Sequence, residues 1–364
     1  MCGLFGIINF NKTSKPIELE ALKKGANALK HRGPDGEGFF LNKNRTIGLA
    51  HRRLSIIDLE TGNQPLQTHD GQITAIVNGE FYDFEKIRYD LQQKGHVFKT
   101  NSDSEIVLHL YREYGLSFTD YLRGEFAFIL YDALEEKLIA VRDRFGVKPF
   151  VYKIDEKNGC LYCASEAKAI LAQDDSDAHW DMDAFYQASQ MQYLPANKTL
   201  FNGIYQLEPG QMIIWEKGNI PSLRFYWDMD YPEIDQKTDI SFNEAVRLVR
   251  EKLDEAVSLR MRSDVGVCYH LSGGIDSSSI SALAASKSKQ PIDCFTVRFE
   301  DKKNEGYDEY NIAKEQAALI GAKLHEVSVS KQDMVDHIDD AVFKTEGLAI
   351  NGHLVGKYLL NKAI

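Results

Sequence analysis

Residues 4–10 form an almost unbroken apolar run, and similar short runs return at 46–50, 54–58, 73–78, 126–131, 138–142 and 161–165. Runs of this length, bounded by Gly, Pro, Asn and Asp, predict β-strands. Between them the period changes. Leu19, Leu22, Ala26 and Leu29 fall on one face of a helix over 16–29, and 83–94 and 104–114 also read as helices. His31-Arg32-Gly33-Pro34-Asp35-Gly36 is too rich in Gly and Pro for regular structure. Many strands with few helices predict packed antiparallel sheets covered by helices. A polar, acidic loop over 173–183 leads into a helix over 183–192, and Leu207-Glu208-Pro209-Gly210 marks a turn.

Between 217 and 239, Pro, Gly, Asp and Lys collect around Phe225-Tyr226-Trp227, and the domain boundary is placed near 205–239. The pattern then changes character. Residues 242–261 predict an amphipathic helix with Ala245, Leu248, Leu253, Val257 and Met261 in its stripe. A buried-type strand over 265–271, a Gly-rich turn and a helix over 279–286 follow. Strands at 294–299 and 324–329 flank a helix over 310–321, and 352–363 reads as a last helix. That alternation predicts an α/β unit with a parallel sheet.

At 364 residues the chain exceeds what one core usually serves, so two domains are expected. Its formal net charge of -11 argues against nucleic-acid binding, which relies on Lys and Arg neutralising phosphates. No apolar stretch approaches the roughly 18–20 residues of a membrane span. The run at 4–10 is too short, and lacks the basic leader, for a signal peptide. Five cysteines suit a reducing compartment, and a cytoplasmic enzyme is expected. Cys160 and Cys163 have C-x-x-C spacing but no second pair. Three apart on a strand, they point to opposite faces and read as structural.

Chemistry gathers in the first half. Cys2 follows the initiator, and removal of Met1 would give one residue a thiol and a free α-amine. An α-amine with pKa about 8 can act as base for its own side chain. A buried, inert small hydrophobe is the alternative for a lone cysteine. Arg52-Arg53 offers a fork for a carboxylate, Asn78-Gly79-Glu80 an amide and a backbone N–H for an oxyanion, and Asp103 a partner for an ammonium. Singly, each has a structural reading: a solvated pair, an Asn-Gly turn, an N-cap in Asn101-Ser102-Asp103-Ser104-Glu105. Together they fit glutamine.

Met1-Cys2-Gly3-Leu4-Phe5-Gly6, His31-Arg32-Gly33-Pro34-Asp35, Leu49-Ala50-His51-Arg52-Arg53-Leu54-Ser55-Ile56-Ile57-Asp58, Asn78-Gly79-Glu80 and Ser102-Asp103 resemble the glutaminase domain of glutamine-hydrolysing asparagine synthetases. The resemblance implies a class II amidotransferase with an α+β N-terminal nucleophile sandwich of α-β-β-α layers. It implies that Cys2 attacks the glutamine amide and that its amine shuttles protons. Arg53 would bind the glutamine carboxylate, Asn78 and Gly79 would form the oxyanion hole, and Glu80 and Asp103 would hold the glutamine amine. Asp83 and Asn101 depart from the family's usual residues without touching these roles. Arg142-Asp143-Arg144-Phe145-Gly146-Val147-Lys148-Pro149 and Ala164-Ser165-Glu166-Ala167-Lys168-Ala169 also match family segments. The first is read as a structural turn, and the pair lies towards the second domain in the family.

In the second half, Ser272-Gly273-Gly274-Ile275-Asp276-Ser277-Ser278 lies between an apolar strand and a helix, where backbone N–H groups stabilise a phosphate. It lacks the Gly-Lys-Ser/Thr of a Walker loop. It resembles the pyrophosphate loop of the ATP pyrophosphatase family, which asparagine synthetases carry in their second domain. By that resemblance Leu271, Ser272, Gly273, Gly274, Asp276, Ser277 and Val297 form an ATP site, and Asp276 helps hold Mg2+. Arg298 stands where a Gly is commoner beside the adenine, and Tyr307-Asp308-Glu309 is read as capping a helix.

The implied organisation is a glutaminase domain over 1–205, a linker over 206–240 and a synthetase domain over 241–364. The synthetase domain is C-terminally incomplete: the family's Ser/Thr-Gly-Glu-Gly-x-Asp-Glu loop is not in the sequence, so a fragment and an incomplete domain are both open. The expected reaction uses glutamine, ATP and aspartate, in a homodimer. Thr345-Glu346-Gly347-Leu348-Ala349-Ile350-Asn351-Gly352 departs from the family's Asp-Glu-Pro pattern. That leaves open another carboxylate acceptor, a glutaminase acting alone, or a binding protein.

Overall fold

In the computed structural model, which describes residues 1–11, 14–173, 178–300, 309–349 and 351–364, the first apolar run becomes strand β1 (Gly3–Asn9). All seven of its residues are buried, because both edges are paired and both faces are covered. Successive strands are β2 (Gly36–Leu41), β3 (Ile47–Arg53), β4 (Leu66–Gln67), β5 (Ile73–Phe81), β6 (Gly124–Asp132), β7 (Lys137–Arg142), β8 (Val151–Asp155), β9 (Cys160–Ala164), β10 (Tyr205–Gln206), β11 (Gln211–Glu216) and β12 (Ser222–Phe225). They form two six-stranded sheets, β10-β8-β9-β1-β3-β2 and β12-β11-β7-β6-β5-β4. All their pairings are antiparallel.

Strand alternation sets the layers. Leu4 and Ile8 of β1 meet Ala127 and Ile129 of β6 in the core between the sheets. Phe5 and Ile7 face the other way, onto α1 (Leu19–Ala28) and α4 (Ala167–Leu171) through Leu22, Ala26 and Ile170. On the far sheet Phe126, Phe128 and Leu130 pack under α2 (Phe84–Gln93) and α3 (Ile106–Tyr114). The result is the α-β-β-α sandwich. A further helix, α5 (Met182–Met191), precedes β10.

Three local expectations change. No strand forms over 54–58; the chain bends there, and Asp58 takes a left-handed φ of 54°. The cause is Arg53, whose guanidinium draws in the carbonyls of Ile57, Asp58 and Leu59. Asn78-Gly79-Glu80 makes no turn; β5 runs on through Phe81, paired throughout with β6. Within the expected linker, β10, β11 and β12 join the two sheets. Every residue of β12 is exposed, so no apolar pattern marked it.

By contacts the chain divides at Tyr231 and Pro232. The second unit contains α6 (Phe242–Arg260), β13 (Cys268–His270), α7 (Ile275–Lys287), β14 (Asp293–Phe299), α8 (Tyr310–Ile320), β15 (Lys323–Val329), α9 (Lys331–Thr345) and α10 (His353–Lys362). Its sheet, β13-β14-β15, is parallel. The strand expected over 265–271 shortens to three residues, α7 starts four residues early, and α9 was not anticipated. Tyr307, Asp308 and Ile350 lie outside the described residues. The five cysteines are free, and no described helix is long and apolar enough to cross a membrane.

Candidate active site

Cys2 stands one residue before β1, and the strand's neighbours hold it in place. Leu4 N donates to Ser165 Oγ at 3.1 Å, Ser165 N donates to Leu4 O at 3.0 Å, and Gly3 pairs with Arg52 across β3. The Leu54 N–H donates to Cys2 Sγ at 3.4 Å, and the thiol reaches Leu54 O at 3.6 Å. Burial pushes the Cys2 thiol above its ordinary pKa, against the pull of the Leu54 N–H and the charges of the amine, Arg53 and Arg32. The α-amine of Met1 moves the other way. Burial, helped by Arg32 and Lys148, lowers it from 8.0 to about 6. The thiol therefore needs a base to take its proton before it can attack.

Met1 and Cys2 open onto a cleft of about 520 Å³ lined also by Arg53, Gln64, Asn78, Gly79, Glu80, Asp103 and Lys148. Asn78 is 1% exposed, and neither polar atom of its side chain has a partner among the described residues. A buried polar group left unmet costs about 1–3 kcal/mol, so an amide in this state on a cleft wall is waiting for a ligand. At Gly79 a Cβ would lie 2.2 Å from Glu125 O, so only glycine lets β5 pass β6 here.

Asp103 lies in a tight 3₁₀ turn whose capping is done by Ser102, with Ser104 N donating to Ser102 Oγ at 3.2 Å. Arg88 holds the preceding loop by donating to Thr100 O and Ser102 O, and Asn101 N donates to Asp58 Oδ2. Capping thus leaves Asp103 free to face the cleft. Its carboxylate accepts from Phe81 N at 2.8 Å. Burial, with the nearby Glu80 charge, raises it from 3.8 to about 6. Asp103 is then neutral below both values and costs stability as pH climbs through about 6. Asp103→Asn should melt higher than the parent at pH 7, by up to roughly 2–3 kcal/mol of unfolding free energy. Melts from pH 4 to 7 check this: the gap should open on passing from about 4 to about 6.

Arg53 departs from the expected fork. Its Nη1 donates to Leu59 O and Asn63 Oδ1, and its Nη2 to Ile57 O and Asp58 O. Those four acceptors match the four Nη hydrogens, leaving Nε–H and the charge for a ligand. Gln64 and Lys148 were not picked out as site residues, although the Lys148 segment was. Asp143 accepts from the N–H groups of Phe145, Val147 and Lys148, while Arg142 donates to Gly146 O and Lys148 O. That turn delivers Lys148 to the cleft, where it pairs with Glu125 at 3.5 Å.

In the second unit, β13 leads through Leu271 to Ser272, Gly273 and Gly274 and into α7. Gly273 has φ +86°, and a Cβ there would meet Ile312 at 2.9 Å. The loop is curled by its hydroxyls: Ser272 and Ser277 Oγ lie 3.1 Å apart, and Ser277 Oγ donates to Gly274 O. The first N–H groups of α7 have no intrahelical acceptor and suit a phosphate. Leu271, Ser272 and Val297 share one cavity, which Glu309, His353 and Lys357 also line; the last two were not anticipated. Glu309 occupies the N-cap position of α8 but makes no capping hydrogen bond. Arg298 is not among the residues lining the cavity; its guanidinium pairs with Glu326 and lies over the Tyr310 ring. Asp276 is the carboxylate of the loop, and no group of three or more metal-ligating side chains exists among the described residues. Mg2+ commonly enters such sites with one or two carboxylates plus substrate phosphates, and Asp276 fits that mode alone.

Residues 1–227 match the family described as glutamine amidotransferase domain, and residues 248–364 match asparagine synthase. Amidase chry2 of Gibberella zeae is 35% identical over the whole of this chain and 56% of its own length. Asparagine synthetase [glutamine-hydrolyzing] 1 of Bacillus subtilis is 35% identical over 94% of this chain and 52% of its own. Putative asparagine synthetase [glutamine-hydrolyzing] 2 of Methanocaldococcus jannaschii is 31% identical over 93% and 67%. The chain spans about half the length of the first two.

Proposed function

The chain belongs to the glutamine-hydrolysing asparagine synthetase family, and from that premise we propose that Cys2, freed of Met1, hydrolyses glutamine to supply ammonia for amidating an ATP-activated carboxylate. The observation that carries this reading is the unpartnered Asn78 amide in the same cleft as the thiol. Sγ attacks the side-chain carbonyl carbon of glutamine as the thiol proton passes to the neutral amine. The oxyanion is met by Asn78 Nδ2 and the Gly79 N–H. The amine returns the proton to the departing nitrogen, ammonia leaves, and water cleaves the thioester to glutamate. Asp103 and Glu80 face the substrate ammonium, and Arg53 its carboxylate.

In the second unit the Ser272–Ser277 loop would take the pyrophosphate of ATP, with Leu271 and Val297 beside the adenosine. Mg2+, held through Asp276 and the phosphates, would offset phosphate charge. ATP would adenylate the aspartate β-carboxylate, and ammonia would displace AMP. A second reading, another carboxylate acceptor, is favoured by the relatives named amidase chry2 and amidase chyE, 35% and 38% identical, and by the departure at 345–352. Free cysteines suit a reducing compartment such as the cytoplasm.

Supplying glutamine, Mg-ATP and aspartate and following glutamate, pyrophosphate and asparagine separately tests this. All three products support the full reading. Pyrophosphate only with a different carboxylate moves the acceptor, and glutamate without pyrophosphate under any acceptor removes the ligase half. A pH profile tests the base. The Cys2 amine, ordinarily near pKa 8, must be neutral, and Asp103, raised to about 6, must be charged. Glutaminase kcat/KM should therefore rise near pH 6 as Asp103 ionises, and kcat should rise as the Cys2 amine loses its proton, towards about pH 8. Initial rates from pH 5 to 9 decide; a kcat/KM that stays flat between pH 5 and 7 would remove Asp103 from substrate binding.

A further inference from the structure

One carboxylate behind Cys2 collects three basic side chains. Glu166 Oε1 accepts from Arg32 Nη1 at 2.6 Å, and its other oxygen takes His31 Nε2 at 3.0 Å and Lys168 Nζ. The Glu166, Arg32 and Lys168 side chains are each under one-tenth exposed. Burial alone would raise the Glu166 pKa, but His31, Arg32 and Lys168 hold it down at about 2. Ion pairs buried this deeply add little to stability compared with apolar packing, so stability alone does not explain them.

Arg32 shows where the cluster is directed. One edge of its guanidinium is held by Glu166; from the other, Nε donates to the backbone O of Cys2 at 2.9 Å. His31 and Lys168 brace the carboxylate from its far side, which leaves Arg32 one orientation. Next door, Ser165 grips both backbone groups of Leu4. The segment 165–168 is thus a cradle for the start of the chain. Once Met1 is removed, residue 2 keeps no covalent anchor on its amine side, and its carbonyl becomes the fixed point from which thiol and amine are aimed.

We propose that Glu166 is a positioning residue for the nucleophile, locking Arg32 against the Cys2 carbonyl and so setting where the thiol and amine stand over the substrate. This rests on the glutaminase reading of Cys2. A misplacement of about 1 Å costs on the order of 100-fold in rate, so Glu166→Gln should lower glutaminase kcat by roughly 10- to 100-fold. KM should stay within about twofold, because the binding groups on β5 and the 101–104 turn are untouched.

Glutamate release is measured for the parent, Cys2→Ala, Glu166→Gln, Arg32→Gln and the double variant Arg32→Gln/Glu166→Gln. If Glu166 acts through Arg32, the double variant loses no more than Arg32→Gln alone, whereas a general structural role makes the losses multiply. Parent-like kcat in Glu166→Gln, or multiplying losses, overturns the proposal. Equal glutamate release by the parent and Cys2→Ala instead overturns the glutaminase reading on which it rests. Should Glu166→Gln not fold, Glu166→Asp keeps the charge but withdraws it by one methylene. Reduced kcat at unchanged KM then supports the proposal, and parent-like kcat overturns it.

Discussion

Glutamate release should fall by at least about 10⁴-fold in Cys2→Ala, because deleting a covalent nucleophile removes the step itself. Binding should survive: the groups facing the substrate ammonium and carboxylate sit on β5, the 101–104 turn and the 53–63 loop, none of which depends on the sulfur. Among the described residues the thiol's hydrogen bonds are with Leu54, at 3.4 and 3.6 Å, so its loss should shift the melting temperature little, within about 2–4 °C. Glutamine titrated into Cys2→Ala in a calorimeter, beside a coupled glutamate assay, separates the two effects. Binding without turnover is the expected result. Turnover within tenfold of the parent would remove Cys2 from the chemistry.

Asn78→Ala should cost roughly 10²–10³ in glutaminase kcat, the usual loss of one oxyanion donor. Its stability should move the other way. The Asn78 amide is buried, and neither of its polar atoms has a partner among the described residues; removing such a group relieves about 1–3 kcal/mol of desolvation. The small cavity left behind offsets part of that gain. A variant that melts no lower than the parent yet turns over slowly marks a residue kept for a ligand rather than for folding. Lower stability with undiminished kcat would assign Asn78 to packing instead. Thermal melts and steady-state rates on one preparation decide it.

Sequence and structure agree best where a residue's position is decided by strand alternation. The runs at 4–10 and 126–131 are apolar at nearly every position because each face meets a different layer, which only a sandwich covered on both sides provides. The glutamine-shaped set at Arg53, Asn78, Gly79, Glu80 and Asp103 was legible as chemistry, and the structure brings all five to one cleft with Cys2. Two local readings failed for one reason. Asn78-Gly79 looks like a turn and 54–58 looks like a strand, yet β6 keeps the first extended and the Arg53 guanidinium folds the second. Both outcomes depend on partners about 50 residues away or on a side chain's reach, and a local window contains neither.

The sequence by itself determined the layers, the Gly-rich loop ahead of α7, and the residue types that can handle an amide, an ammonium and a carboxylate. Period and residue chemistry are local properties, so they can be read along the chain. Tertiary structure alone decided the rest. It engaged the Arg53 fork with carbonyls, left the Asn78 amide unmet, and brought Lys148 to the cleft. It also set Glu166, 164 residues downstream of Cys2, behind the Arg32 that holds the Cys2 carbonyl. Whether a side chain keeps its donors for a ligand or gives them to the fold depends on which acceptors lie within 3 Å, and folding alone settles that.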